Sequence, residues 1–171
     1  MRFARRLLVH DRDRHRNTRR RAFARVFGGE AIDEALLLGA KLIVTIDCGT
    51  ADKSEVEYAN SKGIDMIITD HHECAELPPA YAIVNPKKKD SEYPFKELCG
   101  AALAYKLVQA ILAKESFGLK PGVEKWSLDM VGIATLSDMV PLVGENRVLA
   151  KFGLDVLRID DGAVADRPCE G

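Results

Sequence analysis

The 171 residues are 47% hydrophobic with a net charge of −1, enough apolar content for one packed domain. No apolar run approaches the ~20 residues of a membrane span, and the arginine-rich start lacks the apolar core of a secretory signal. The four cysteines, at 48, 74, 99 and 169, form no CxxC pair, which excludes a zinc ribbon or dithiol redox motif and fits reduced thiols in a cytoplasmic protein.

Charge is unevenly distributed. Residues 1–30 hold ten of the thirteen arginines, no lysine and three acids, a balance near +7, whereas all twelve lysines follow residue 40 and residues 31–171 balance near −8. An arginine run can hold phosphates. The plainer expectation is a solvated, disordered arm or sequence not native to the domain that follows. Asp11 and Asp13 argue against a transit peptide.

Ala31 to Leu38 is expected to form a short helix stopped by Gly39. Lys41 to Ile46 is apolar and β-branched, as a buried parallel strand should be, and ends in Asp47-Cys48-Gly49. A helix follows, with Asp52 and Glu55 as a capping box, Val56 and Ala59 on one face and Gly63 as its stop. Met66 to Thr69 is a second buried strand, ending in Asp70-His71-His72-Glu73. Strand, helix, strand makes a right-handed βαβ unit. Neighbouring strands lie roughly 4.8 Å apart, so Asp47 and His71 should leave adjacent strand ends and face one site. Ligands of open α/β sheets collect at those carboxyl ends. Tyr81 to Val84 is a third strand, closed by Asn85-Pro86, and Lys87, Lys88 and Lys89 occupy the next loop. A lysine triplet is solvated by default; beside a strand-end site it can also receive a polyanion. Helices are expected over Cys99–Ser116, with small residues near its start (Gly100, Ala101, Ala102, Ala104), over Val123–Leu136 running into Ser137-Asp138, and over Asn146–Leu157. Residues 158–171 lose apolar periodicity and read as a tail. The fold class is α/β, a parallel sheet flanked by helices.

Asp47, Asp70, His71, His72 and Asp138 are the candidate site. Mixed carboxylate and imidazole donors suit manganese, and also zinc or iron, while carboxylate alone favours magnesium. Two such ions a few ångströms apart are a common device for phosphoester hydrolysis. A lone Asp after a strand is more often a turn or cap residue. An acid followed by two histidines at a second strand end is harder to explain by capping.

Thr69-Asp70-His71-His72 carries the motif after which the DHH phosphoesterase superfamily is named. TIDCGT, GIDMIITDHHE, LPPAYAIVNPKKKDSEYPFKELCGAALAYKL and GIATLSDMVPLVGENRVLAKFGL, in that order, resemble its RecJ branch over residues 31–157. The resemblance implies a bacterial exonuclease of DNA repair and recombination. It would degrade single-stranded DNA from the 5′ end with Mn2+ or Mg2+ at a two-metal site, in the cytoplasm, alongside single-stranded-DNA-binding protein. It also implies roles. Asp47 bridges metals, and His71 and Asp138 ligate them. His72 meets the substrate phosphate as the catalytic histidine, Asp70 orients the site, and Gly100 lies on the phosphate side.

Two departures qualify that picture. The family's early D-x-D-x-D-G strand motif is absent; Leu7 to Asp13 is a faint echo, offering only Asp11 and Asp13. By the resemblance a second DHH-associated domain and an OB-fold should follow Leu157, and residues 158–171 do not supply them. Residues 31–157 are therefore expected to be a partial DHH domain, incomplete at both ends. It would leave a sheet edge or an apolar face uncovered and be weakly active or inactive. The alternatives are a DHH-family oligonucleotide or nucleotide phosphodiesterase or phosphatase, a non-catalytic nucleic-acid-binding remnant, and a decayed fragment without function.

Overall fold

A computed structural model describes residues 8–9, 28–73 and 75–160. Asp11, Asp13, Cys74, Cys169 and the tail beyond residue 160 lie outside the described residues. The chain forms two compact units, Met1–Glu92 and Tyr93–Gly171.

The first unit is built on a four-stranded sheet in the order β1(Leu8–Val9), β2(Leu42–Ile46), β3(Asp65–Thr69), β4(Ala82–Val84). β2, β3 and β4 are parallel, with Ile46 opposite Thr69 and Thr69 opposite Val84, so the three strands end nearly level. Helices α1(Gly29–Leu37) and α2(Lys53–Ser61) belong to the same unit. Ile43 and Thr45 of β2 and Met66 and Ile68 of β3 alternate onto one buried face. Ile32 and Ala35 of α1, Val56 and Ala59 of α2, and Ile64 close the core there. The expected βαβ unit is present. α1 and α2 each end at a glycine, where Ala40 N–H donates back to Ala35 O at 2.9 Å and Ile64 N–H to Ala59 O at 3.1 Å.

Two local expectations are corrected. The capping box does not form: the Asp52 side chain makes no cap bond to α2, and Glu55 instead accepts from Ser54 Oγ at 2.7 Å. The outer edge of β2 is covered in part, because Leu8 and Val9 pair antiparallel with Val44 and Ile43. A two-residue pairing needs only an extended apolar dipeptide, a signal too short to stand out within the arginine-rich arm.

The second unit is helical: α3(Gly100–Lys114), a 3-10 turn over Val123–Ser127, α4(Leu128–Ser137) and α5(Gly144–Asp160). Leu98, Cys99, Ala102, Leu103, Tyr105 and Val131 form its core. The single helix expected over Val123–Leu136 is split, its first five residues winding as 3-10, a common entry to an α-helix. α5 begins two residues before and ends three residues after the expected Asn146–Leu157. An i,i+3 contact between Asp155 and Arg158 at 3.6 Å lies in its last turns. α4 and α5 meet at Gly132 and Gly153, where a Cβ on Gly132 would stand 2.9 Å from the Gly153 Cα.

Candidate metal centre at the strand ends

The sequence folds the site by ending β2 and β3 at the same level and turning both chains sharply. Asp47 N–H donates to Thr69 O at 2.8 Å, extending the parallel ladder one residue beyond β2. Asp47 itself has φ 65°, a left-handed conformation that Asp tolerates better than most residues. Thr45 Oγ1 donates to Cys48 O at 2.8 Å, and Thr69 Oγ1 donates to Thr45 O at 2.6 Å. Both hydroxyls are buried, so they hold the turn from beneath. Gly49 has φ 111°, and a Cβ there would come within 2.8 Å of Thr45 Oγ1, so the turn needs glycine for space as well as conformation.

This scaffold brings Asp47 Oδ1 to 3.1 Å from His71 Nε2. The carboxylate presents two faces. Its side chain is 39% exposed, yet Oδ1 is buried and accepts no hydrogen bond among the described residues. A buried carboxylate oxygen is costly unless a donor or a cation completes it, and here either a proton on His71 Nε2 or a bound ion would do so. One donor atom from each of Asp47, His71 and His72 lies within 4.8 Å of the others. Carboxylate with imidazole is a donor set that suits a divalent transition ion.

Asp70 is differently employed. It is 1% exposed, and its oxygens are occupied by the fold. Oδ2 accepts Thr50 N–H at 3.0 Å, and Oδ1 accepts His71 N–H at 2.8 Å, His72 N–H at 3.3 Å and the His72 ring at 2.6 Å. Burial pushes its pKa up, but bonds from Thr50 and then His72 outweigh burial and hold the carboxyl below the usual aspartate range. An ionised carboxylate only accepts. His72 Nδ1 must therefore carry the proton, which leaves Nε2 for a ligand or substrate. The His72 side chain is 55% exposed and that of His71 11%. Their ring centroids lie 4.5 Å apart.

Two residues that the sequence reading passed over complete this network. Asn85, 4% exposed, donates from Nδ2 to His72 O at 2.9 Å and to Thr50 Oγ1 at 3.3 Å. Thr50 thus joins Asp70 to Asn85. Asn85-Pro86 signals a turn after a strand; a buried asparagine tied to the histidine backbone cannot be inferred from that dipeptide.

The remaining candidates lie in the second unit. Asp138 is the C-cap of α4, its N–H donating to Ala134 O at 2.9 Å, and it is followed by Met139 at φ 56°. Gly100 is the first residue of α3 and is buried. Beside it, burial pushes the Cys99 thiol up, and the nearby Asp138 charge adds to that shift.

A model of the DHH family, N-terminal domain, matches residues 2–135. The chain belongs to the DHH family. The match begins inside the arginine-rich arm and spans both strand-end motifs. The single-stranded-DNA-specific exonuclease RecJ of Bacillus subtilis is 46% identical to this DHH chain over 121 residues, 70% of the chain and 14% of the relative. That of Escherichia coli is 38% identical over 138 residues, 75% of the chain and 24% of the relative. Among solved structures, an exonuclease RecJ bound to manganese superposes with a TM-score of 0.63 at 31% identity, covering 79% of the chain and 33% of that structure. RecJ of Thermus thermophilus in complex with Mn2+ gives the same score and identity over 78% of the chain and 19% of that structure. The DHH chain thus spans a quarter or less of the length of these two curated relatives. No helix among the described residues is long and apolar enough to cross a membrane.

Proposed function

We propose that the chain carries the strand-end part of a metal-dependent phosphodiesterase centre of the RecJ type, whose substrate is single-stranded DNA attacked from the 5′ end. The observation that carries this reading is the approach of Asp47 and His71 from the ends of adjacent parallel strands, where a buried Asp47 oxygen faces the His71 imidazole nitrogen at 3.1 Å. The manganese-bound RecJ structures that the chain resembles support the choice of ion. Mg2+ is the alternative ion.

In this reading Asp47 and His71 hold the ion, with Asp138 as a further ligand of a two-metal site and Gly100 on the phosphate side. When bound, divalent ions would supply an activated water and stabilise charge on the phosphoryl oxygens. His72 turns Nε2 to a phosphate oxygen and serves as the catalytic histidine. Asp70 acts as a positioning residue, because its oxygens are already bonded to Thr50, His71 and His72. Among the described residues Asp47, His71 and His72 are the cluster whose donors converge on one point. Weak or absent activity of the chain by itself belongs to the same proposal, with a non-catalytic strand-binding remnant as the second reading. Residues 31–157 are assigned to the partial DHH domain, 1–30 to an arm and 158–171 to a tail. A cytoplasmic location and cooperation with a single-stranded-DNA-binding protein belong to the same proposal.

Titration calorimetry with Mn2+ tests the centre. The folded chain should bind the ion, and His71→Ala should abolish binding while retaining its circular dichroism. Equal binding by both proteins would place the ion elsewhere. Incubation with 5′-ended single strands and with dinucleotides then separates the RecJ-type substrate from small-nucleotide alternatives: preferential release of nucleotides from the long strand supports the former.

A further inference from the structure

We infer that Lys87 and Lys89 form a contact site for the backbone phosphates of a single-stranded nucleic acid, held in register with His72 by Asn85. The inference rests on the strand-end reading above and adds to it where the strand lies on the first unit.

The geometry begins with one side chain. Asn85 donates from Nδ2 to His72 O at 2.9 Å and accepts Lys87 N–H at Oδ1, 2.8 Å away. The same buried amide therefore fixes the backbone of the second histidine and the backbone of the first lysine. Lys88 N–H donates to Asn85 O at 3.3 Å, closing a turn with Pro86 at its second position, and Ser91 N–H donates to Lys88 O at 3.0 Å, closing another. Proline presets the backbone of such a turn, and the asparagine side chain mimics a further one. Lys87 stands two residues from Asn85, within about 7 Å along the chain, and its ammonium rides on a flexible stem suited to meeting phosphate as a point charge.

The charges on this turn are unequally compensated. Lys88 Nζ lies 3.4 Å from Asp90. Lys87 and Lys89 have no carboxylate partner among the described residues. Residues 31–171 are net acidic, so a polyanion approaching this part of the molecule meets repulsion over much of it. Two uncompensated lysines on a fixed turn after β4 give it a local place to dock.

The test is amine-reactive labelling of the whole chain, read by mass spectrometry, with and without a 5′-phosphorylated oligothymidylate whose binding is followed by fluorescence anisotropy. Lys41, exposed at the amino end of β2, is the internal reference. Several-fold protection of Lys87 and Lys89 with Lys41 unchanged is expected. The K87Q/K89Q double variant should also reduce the slope of log affinity against log salt by about 1.4, two single-strand phosphate contacts at ~0.7 each. The main-chain bond to Asn85 survives these substitutions, so folding is not at stake. A strand that binds while both lysines label as in the free chain overturns the inference and leaves the proposed function standing. A strand that does not bind overturns both, and Mn2+ calorimetry then reports separately whether the ion site exists.

Discussion

Asp47 shows how much the site asks of single residues. Its left-handed backbone aims one oxygen inward at His71 while the rest of the carboxylate stays open. The pairing of Asp47 with His71 was legible in the sequence, because two apolar runs joined by a short helix have few ways to fold, and both runs end in residue types able to ligate a metal. The inner support was not. Asp70 and Thr50 are 20 residues apart and Asn85 and His72 are 13 apart, and no local pattern announces hydrogen bonds across such separations. Replacing Asn85 by Ala removes its bonds to His72, Thr50 and Lys87 at a 4%-exposed position. The expected cost is about 1–3 kcal/mol, the penalty of leaving buried polar groups unpaired, read as a lower midpoint in urea denaturation at constant slope. An unchanged midpoint would mean that water replaces the amide without loss.

Among the elements, the crossing of α4 and α5 is the most sharply constrained. Gly132 and Gly153 face each other so closely that a Cβ on Gly153 would collide with Leu128 O and the Gly132 backbone. No rotamer change relieves a clash with backbone, so Gly153→Ala must push the helices apart. A loss of about 1–3 kcal/mol is expected from overpacking. The exposed Gly63 of the other unit, where an added Cβ meets nothing within 4 Å, is a useful contrast, since only its φ of 71° opposes substitution. Thermal denaturation that ranks G153A no worse than G63A would contradict the packing argument. The element pattern itself was largely readable, since β2, β3, β4, α1, α2 and α3 lie where apolar period and glycine stops place them. The misses were local: a 3-10 entry to α4 in place of α-helix, and a two-residue β1 with no pattern of its own.

For the molecule as a whole, charge decides more than size. The arm is arginine-rich and the remainder acidic, a polarity that was evident from composition. Within the second unit, Glu145 is the centre of a cluster with Tyr93 and Lys106. Glu145 accepts from Tyr93 OH at 2.7 Å and pairs with Lys106 at 2.5 Å. Burial alone would raise the Glu145 carboxyl, but the bonds from Lys106 and Tyr93 hold it below the usual glutamate range. At Lys106 burial pushes the pKa down, but the bonds with Glu145 and Tyr93 outweigh it and hold the ammonium above the usual lysine range. A depressed folded pKa stabilises above the unfolded value of about 4.3, and a raised one below about 10.4. The cluster therefore supports the fold across the neutral window. Its contribution through Glu145 is lost as pH falls through the carboxylate range. Glu145→Gln should lower the melting temperature at neutral pH, and the gap to the parent chain should close on acidification. A gap that persists at low pH would show that packing, not charge, is what the substitution removes.

The bracing by Asn85 also sets where this chain can tolerate a change of length. Asp70 N–H is bonded to Val84 O at 3.1 Å and His72 O to Asn85, so both ends of the segment from Glu73 to Tyr81 are fastened independently of what lies between them. Inserted residues there would lengthen a closed loop, at a cost that grows only slowly with length. One residue added between Asn85 and Lys87 would instead break the side-chain bond that sets their spacing. In laboratory diversification the first interval is a natural place to graft sequence, and the second is a place where even a single insertion should cost function.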